Sequence, residues 1–181
     1  MNFVEPIRNK KDINRMKRKL EKQNKRNEFL FTFGINVGFR ISDLLKLKVG
    51  DIRDKDYIDI RERKTRKTKR FPINNILKYD IEAYTFNKPD NEYLFKSRKG
   101  INKPISTVQA YNILNGAAKE LGIENVGTHT LRKTFGYWHY QQFKDVAMLQ
   151  EIFNHSSPST TLRYIGINQD LIDQSIQSFY L

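Results

Sequence analysis

Residues 57–73, YIDIRERKTRKTKRFPI, decide the fold class. Ile58 and Ile60 fall on one face of an extended strand, and Tyr57, Asp59 and Arg61 fall on the other. Residues 68–73, TKRFPI, can return antiparallel, with ERKTRK (62–67) between the two runs. Segment 61–70 carries seven basic residues and one acid, so the hairpin has a strongly basic tip. A short strand is expected at Tyr93-Leu94-Phe95. The other ordered stretches have helical spacing. The expected fold is therefore mainly α with a small antiparallel β-sheet (α+β).

On the N-terminal side, ten Lys and Arg between residues 8 and 26 face only Asp12 and Glu21. Asp12 is placed to cap a helix on which Ile13, Met16 and Leu20 share a face. Phe29 to Val37 reads as a buried helix ended by Gly38. Phe39-Arg40-Ile41-Ser42-Asp43 then starts a short helix carrying Leu44, Leu45 and Leu47. On the C-terminal side, 74–86 reads as helix and 87–105, with Pro89, Gly100 and Pro104, as loop. Ser106 and Gln109 have capping-box spacing before the apolar positions Val108, Tyr111, Ile113, Leu114 and Ala118, and Gly122 closes that helix. Thr128 or His129 opens a helix running to about Phe143. Asp145 caps the next one. Ser157-Pro158 places a cap before a proline at the first helical position. The last helix spans about Asn168 to Phe179, with Leu171, Ile172, Ile176 and Phe179 on one stripe.

Composition excludes several classes. The 181 residues carry 33 Lys and Arg against 20 Asp and Glu, a net charge of +13 and a pI near 9.8. A small domain this basic is suited to a polyanion. With no cysteine, disulfides, thiolate nucleophiles and cysteine metal sites drop out. No apolar run reaches the roughly 20 residues of a membrane span. The N-terminus has no apolar signal core, which predicts a cytoplasmic protein. With no Gly/Pro/Ser-rich linker, the expectation is a single domain.

Four segments mix reactive polar residues with apolar ones. In GFRISDLL (38–45), Arg40 and Asp43 are three apart and share a helical face; alone they read first as an ordinary helix-terminal ion pair. The basic hairpin can contact phosphates or be a solvated turn. In THTLRKT (128–134), His129 and Arg132 project together from a helix start, a good phosphate site; a capping His beside a surface Arg is the plain alternative. In NHSSPSTTLRY (154–164), His155 and Tyr164 flank a capped turn, where Tyr164 could equally be a packing aromatic.

Taken together, GFRISDLLKLKVGDI, RKTRKTKRFPI, THTLRKTF and FNHSSPSTTLRYIG resemble the tyrosine recombinase (phage integrase) family. The candidates Arg40, Lys64, His129, Arg132, His155 and Tyr164 occur in the family's order. Lys64 lies 24 residues after Arg40 and eight before Pro72, Arg132 three after His129, His155 23 after Arg132, and Tyr164 nine after His155. The resemblance implies that Arg40 and Arg132 clamp the scissile phosphate and His155 adds a third hydrogen bond. Tyr164 would attack phosphorus to form a 3′-phosphotyrosyl link, with His129 assisting its proton transfer and Lys64 protonating the leaving 5′-oxygen. Asp43 stands where the family usually has Glu and would orient Arg40. Arg63, Arg66, Lys67, Lys69 and Lys133 are the expected DNA contacts. The resemblance implies no metal and no cofactor.

The implied organisation is a single catalytic domain: a basic N-terminal helix or linker stub over 1–26, a core over 27–167, and a C-terminal helix over 168–181. That helix packs either on its own core or on a neighbouring protomer. Only 37 residues precede the first motif, so no core-binding domain is expected, and the chain reads as a catalytic fragment or a minimal recombinase. The implied partner is double-stranded DNA at a recombination site, with self-assembly into a tetrameric synapse and no membrane. The implied location is the cytoplasm, on the nucleoid. Alternatives are a catalytically inactive DNA-binding module of the same fold and a type IB topoisomerase-like nicking-closing enzyme. A metal nuclease built on His129, His139 and His155 lacks an HExxH pair and a carboxylate cluster.

Overall fold

A computed structural model of the chain describes residues 4–61 and 68–180. Strands β1 (Tyr57–Arg61) and β2 (Thr68–Pro72) pair antiparallel, from Tyr57 opposite Pro72 to Arg61 opposite Thr68. Ile58 is fully buried beneath this hairpin, as the alternation requires. Arg63, Lys64, Arg66 and Lys67 fall outside the described residues, and Lys69 sits in β2 opposite Ile60.

Helix α1 (Lys10–Gln23) is capped by Asn9, whose side chain accepts from the Lys11 N–H, and not by Asp12. Asp12 lies in the first turn, where a carboxylate faces the positive end of the helix dipole, and pairs with Arg15 at 2.7 Å. Asn24 then caps α2 (Lys25–Val37). Phe29, Leu30, Phe31, Phe33 and Val37 are all buried, so α2 is the central helix, and beyond its first three residues its polar residues Glu28, Thr32 and Asn36 are confined to one narrow stripe. Gly38 ends it at φ +63°, and a Cβ there would run into the Phe135 ring. Helix α3 (Ile41–Leu44) and a 3-10 turn at Val49–Asp51 lead to the hairpin, and α4 (Asn75–Thr85) follows, capped by Asn74.

The connection 87–105 departs from expectation. Tyr93-Leu94-Phe95 forms no strand; isolated bridges join Lys48 to Tyr93 and Lys96 to Pro104. Leu94 and Phe95 are buried as core residues, and Pro104 has no N–H with which to continue a ladder.

Helix α5 (Thr107–Glu120) is capped by Ser106, which accepts from the Gln109 N–H. Helix α6 (Thr128–Phe143) starts where expected. Helices α7 (Val146–Phe153) and α8 (Pro158–Ile165) have the expected Asp145 and Ser157 caps. Helix α9 spans Ile167–Gln177.

Three apolar clusters make up the core. One joins α2, the hairpin, α4 and Phe95; a second joins α1, α2, α5 and Leu131 of α6; a third joins α7, α8 and the first residue of α9 through Leu149, Phe153, Ile165 and Ile167. The N-terminal segment is stitched along α6. Ile7 N–H donates to Thr134 Oγ1 (2.9 Å), Trp138 Nε1 donates to Ile7 O (2.9 Å) and Lys133 Nζ donates to Val4 O (2.7 Å). The α9 stripe does not pack on this core: Leu171, Ile172, Ile176 and Phe179 are 54–68% exposed. Among the described residues no helix is long and apolar enough to cross a membrane.

Candidate active site

Helix α6 organises the site. Arg132, one turn in, is 7% exposed. Its Nη1 donates to Gly38 O at 2.6 Å and its Nη2 donates to Phe153 O at 2.8 Å. The guanidinium carbon lies 4.1 Å from the centre of the Phe153 ring. One side chain thus ties the end of α2, two residues before Arg40, to the end of α7, two residues before His155. Charge-assisted bonds to both carbonyls and the ring below offset the cost of burying the charge. Gly136 lets α6 come this close, since a Cβ there would lie 2.7 Å from the Phe153 ring.

Arg40 precedes α3 and is exposed. It lines one cleft of about 910 Å³ together with Asp43, Arg70, Arg132 and Asn154. Phe71, Phe135 and Ile152 form apolar wall in the same cleft. The Asp43 carboxylate pairs with Lys46 at 3.6 Å. Among the described residues there is no Arg40–Asp43 ion pair.

His155 follows Asn154, whose left-handed conformation (φ 52°) closes α7. Its Nδ1 is 3.1 Å from Thr161 Oγ1, and its ring stands edge-on to Tyr164 with centroids 5.1 Å apart. Tyr164 also stands edge-on to Phe153 at 5.7 Å, and its hydroxyl oxygen is 3.3 Å from His129 Nδ1. Lys133 Nζ lies 5.3 Å from the Tyr164 ring centre. Lys133, expected among the DNA contacts, thus points toward Val4 and Tyr164.

The electrostatics are shared across the cluster. Burial, then the charges of Arg132 and Arg40, push His155 down to about 4. Desolvation, then Arg132, Lys133 and Arg40, depress His129. Burial raises Tyr164, while the charges of Arg132 and Arg40 and a hydrogen bond with Arg132 pull the other way. At neutral pH both imidazoles are uncharged and Tyr164 keeps its proton. The result is a protonated phenol beside a neutral imidazole in a field of fixed positive charge, an arrangement suited to an oxyanion next to the phenol.

The structure therefore brings Arg40, His129, Arg132, His155 and Tyr164 together, with Asp43 in the Arg40 cleft. Lys64 and the hairpin-tip residues lie outside the described residues. Sequence reasoning missed Phe153 and Thr161, the residues that seat Arg132 and His155. Both lie within the motif stretch FNHSSPSTTLRYIG, but nothing in the sequence singles them out from its other residues.

Residues 8–170 match the model of the phage integrase family. The chain belongs to that family. Among integrase-family relatives, it is 53% identical over 170 residues to the probable integrase/recombinase YoeC of Bacillus subtilis, covering 94% of this chain and 93% of the relative. It is 27% identical over 157 residues to the tyrosine recombinase XerA of Pyrococcus horikoshii, covering 85% of this chain and 55% of the relative. The chain thus spans nearly all of YoeC but about half of XerA. The XerA recombinase crystal structure superposes with a TM-score of 0.75 at 21% identity, covering 98% of this chain and 67% of the other. A lambda integrase dimer bound to a COC′ core site superposes with a TM-score of 0.71 at 16% identity, covering 91% and 48%. At these identities the superpositions establish the fold, mainly helical with a small antiparallel sheet.

Proposed function

We propose that this chain is a site-specific DNA recombinase that cuts and rejoins duplex DNA through a 3′-phosphotyrosyl intermediate. The observation that carries the reading is the 3.3 Å approach of Tyr164 to His129 within the field of Arg40 and Arg132. Family membership and similarity to named tyrosine recombinases support it. So do solved neighbours of the same fold described as bound to DNA: a XerH recombinase on its difH substrate and the lambda integrase dimer on a core site.

In the proposed reaction Arg40 and Arg132 bind the non-bridging oxygens of the scissile phosphate. Their fixed positive charge stabilises the extra negative charge of the transition state. Arg132 is already held by two carbonyls, so little reorganisation is needed when the phosphate arrives. His155 donates a further hydrogen bond. His129, uncharged, accepts the Tyr164 proton as the phenolic oxygen bonds to phosphorus. The P–O5′ bond breaks, and Lys64 gives its proton to the departing 5′-oxygen. The phosphotyrosyl bond conserves the bond energy, so a 5′-hydroxyl from another strand can reverse the step without ATP. Asp43 supports the Arg40 loop. Arg63, Arg66, Lys67 and Lys69 contact the DNA backbone.

Double-stranded DNA is the proposed partner, with a tetrameric synapse and, for the chain's setting, the cytoplasm at the nucleoid. The exposed α9 stripe supports packing of residues 168–181 on a neighbouring protomer, with 27–167 as the catalytic core. The test is incubation with nicked suicide duplexes carrying candidate attachment sites, in EDTA and without ATP. A covalent protein–DNA adduct supports the reading; reversible binding alone across all sites overturns it.

A further inference from the structure

The proposed reaction asks His155 to present an N–H to the phosphate, and a neutral imidazole has only one. Which nitrogen carries it is set by the partner of the other nitrogen. Here that partner is Thr161 Oγ1, 3.1 Å from His155 Nδ1. Thr161 is fully buried in α8. As a β-branched residue in a helix, it adopts the rotamer in which its oxygen also approaches the carbonyl four residues earlier, here Ser157 O at 3.3 Å.

The threonine hydroxyl has a single proton and therefore a choice of acceptor. Ser157 O already accepts the Thr161 backbone N–H at 3.2 Å, closing the first turn of α8. His155 Nδ1 is nearer to the hydroxyl. The imidazole has little room to turn, because its ring is flanked by the Phe153 and Tyr164 rings, with centroids 5.3 and 5.1 Å away, and its backbone is fixed: His155 N–H donates to Gln150 O, and Gln150 Nε2 donates to His155 O, each at 3.1 Å.

From this geometry we infer that Thr161 is a positioning residue: its hydroxyl donates to His155 Nδ1 and so holds the ring with its proton on Nε2, ready for the phosphate. The inference rests on the recombinase reading and deepens it. Thr161 touches neither the phosphate nor the nucleophile. Because α8 carries both Thr161 and Tyr164, a shift of this one helix would disturb the nucleophile and the histidine's tautomer together.

The direct test is long-range ¹H–¹⁵N NMR of the His155 ring in the full wild-type chain at neutral pH. The expected pattern is a protonated Nε2 and an unprotonated Nδ1. A protonated Nδ1 overturns the inference, whatever any variant does. Two variants add a kinetic readout. Thr161→Ser keeps the hydroxyl and should cleave within a few-fold of wild type. Thr161→Val keeps the shape but not the hydroxyl. It should cleave a suicide duplex about 10–100-fold more slowly with unchanged DNA affinity, as when an outer partner of a ligating histidine is lost. Thr161→Val cleaving at the wild-type rate also overturns the inference. Tyr164→Phe separates the two levels. If it still forms adduct, the recombinase reading fails; if it forms none while Thr161→Val is unimpaired, only the tautomer inference fails.

Discussion

Replacing Arg132 by Lys separates the two tasks this residue carries. Lysine keeps the charge but has one ammonium group in place of a planar fork. It can reach one of the two carbonyls that Arg132 now bridges, Gly38 O at 2.6 Å and Phe153 O at 2.8 Å. One charge-assisted hydrogen bond to a buried carbonyl is lost, about 1.5–3 kcal/mol. The contact with the Phe153 ring, 4.1 Å away, weakens as well. The combined cost is about 2–3 kcal/mol of fold stability. At roughly 2–4 °C per kcal/mol for a domain of this size, Tm should fall by about 4–12 °C. Cleavage should fall further, about 10²–10³-fold, because one donor aimed at the developing phosphate charge is gone. Urea and thermal unfolding measure the first effect, and single-turnover cleavage of a suicide duplex measures the second. An unchanged Tm with lost cleavage would show that the carbonyl ties hold nothing together. An unchanged cleavage rate would remove Arg132 from the phosphate site.

Three further outcomes are expected. His155 is held near 4 in the folded state against 6.5 ordinarily, so between those values the folded chain binds fewer protons than the unfolded one. Its contribution is complete above about pH 6.5 and is lost as pH falls toward 4; urea midpoints at pH 7 and pH 5 should differ less in His155→Gln than in wild type, and equal differences refute this. Affinity for duplex DNA should fall by about 0.9 log units per phosphate contact per log unit of salt, so neutralising Arg66 and Lys67 should flatten that slope by about one to two without changing sequence preference. An unchanged slope removes them from the footprint. Deleting residues 170–181 should reduce the doubly occupied complex on a two-half-site duplex more than the first binding event, because the apolar stripe of α9 lies open to solvent. Equal yields from a folded truncated chain contradict packing between protomers.

Much of the architecture was legible because its signals are local. The alternation of Tyr57–Arg61, the Asp145 and Ser157 caps and Pro158 at a first helical position each act over a few residues, and the folded chain uses them unchanged. Capping at α1 was misread because Asn9 and Asp12 are both competent caps, and the helix simply starts one turn earlier. Tyr93–Phe95 was misread because Leu94 and Phe95 are buried, Phe95 against Phe29 and Phe33 of α2, and a buried strand and a buried extended loop show the same apolar run. The site was legible as four motifs but not as contacts. Nothing local tells Arg132 to bridge Gly38 and Phe153, 94 and 21 residues away, or Lys133 to reach Val4 across 129 residues. Those choices are made by the close packing of α6 against α2 and α7, which only the tertiary structure contains.

The most direct test of the central claim is to map the covalent link itself. Wild-type protein trapped on a suicide duplex in EDTA is digested with protease and nuclease, and the nucleotide-bearing peptide is sequenced by mass spectrometry. The account predicts one modified residue, Tyr164, bearing a 3′-linked nucleotide. It also predicts no adduct from Tyr164→Phe, which should still bind the duplex within a few-fold of wild type. A nucleotide on Tyr180 or any other residue, or an adduct that persists in Tyr164→Phe, would contradict it.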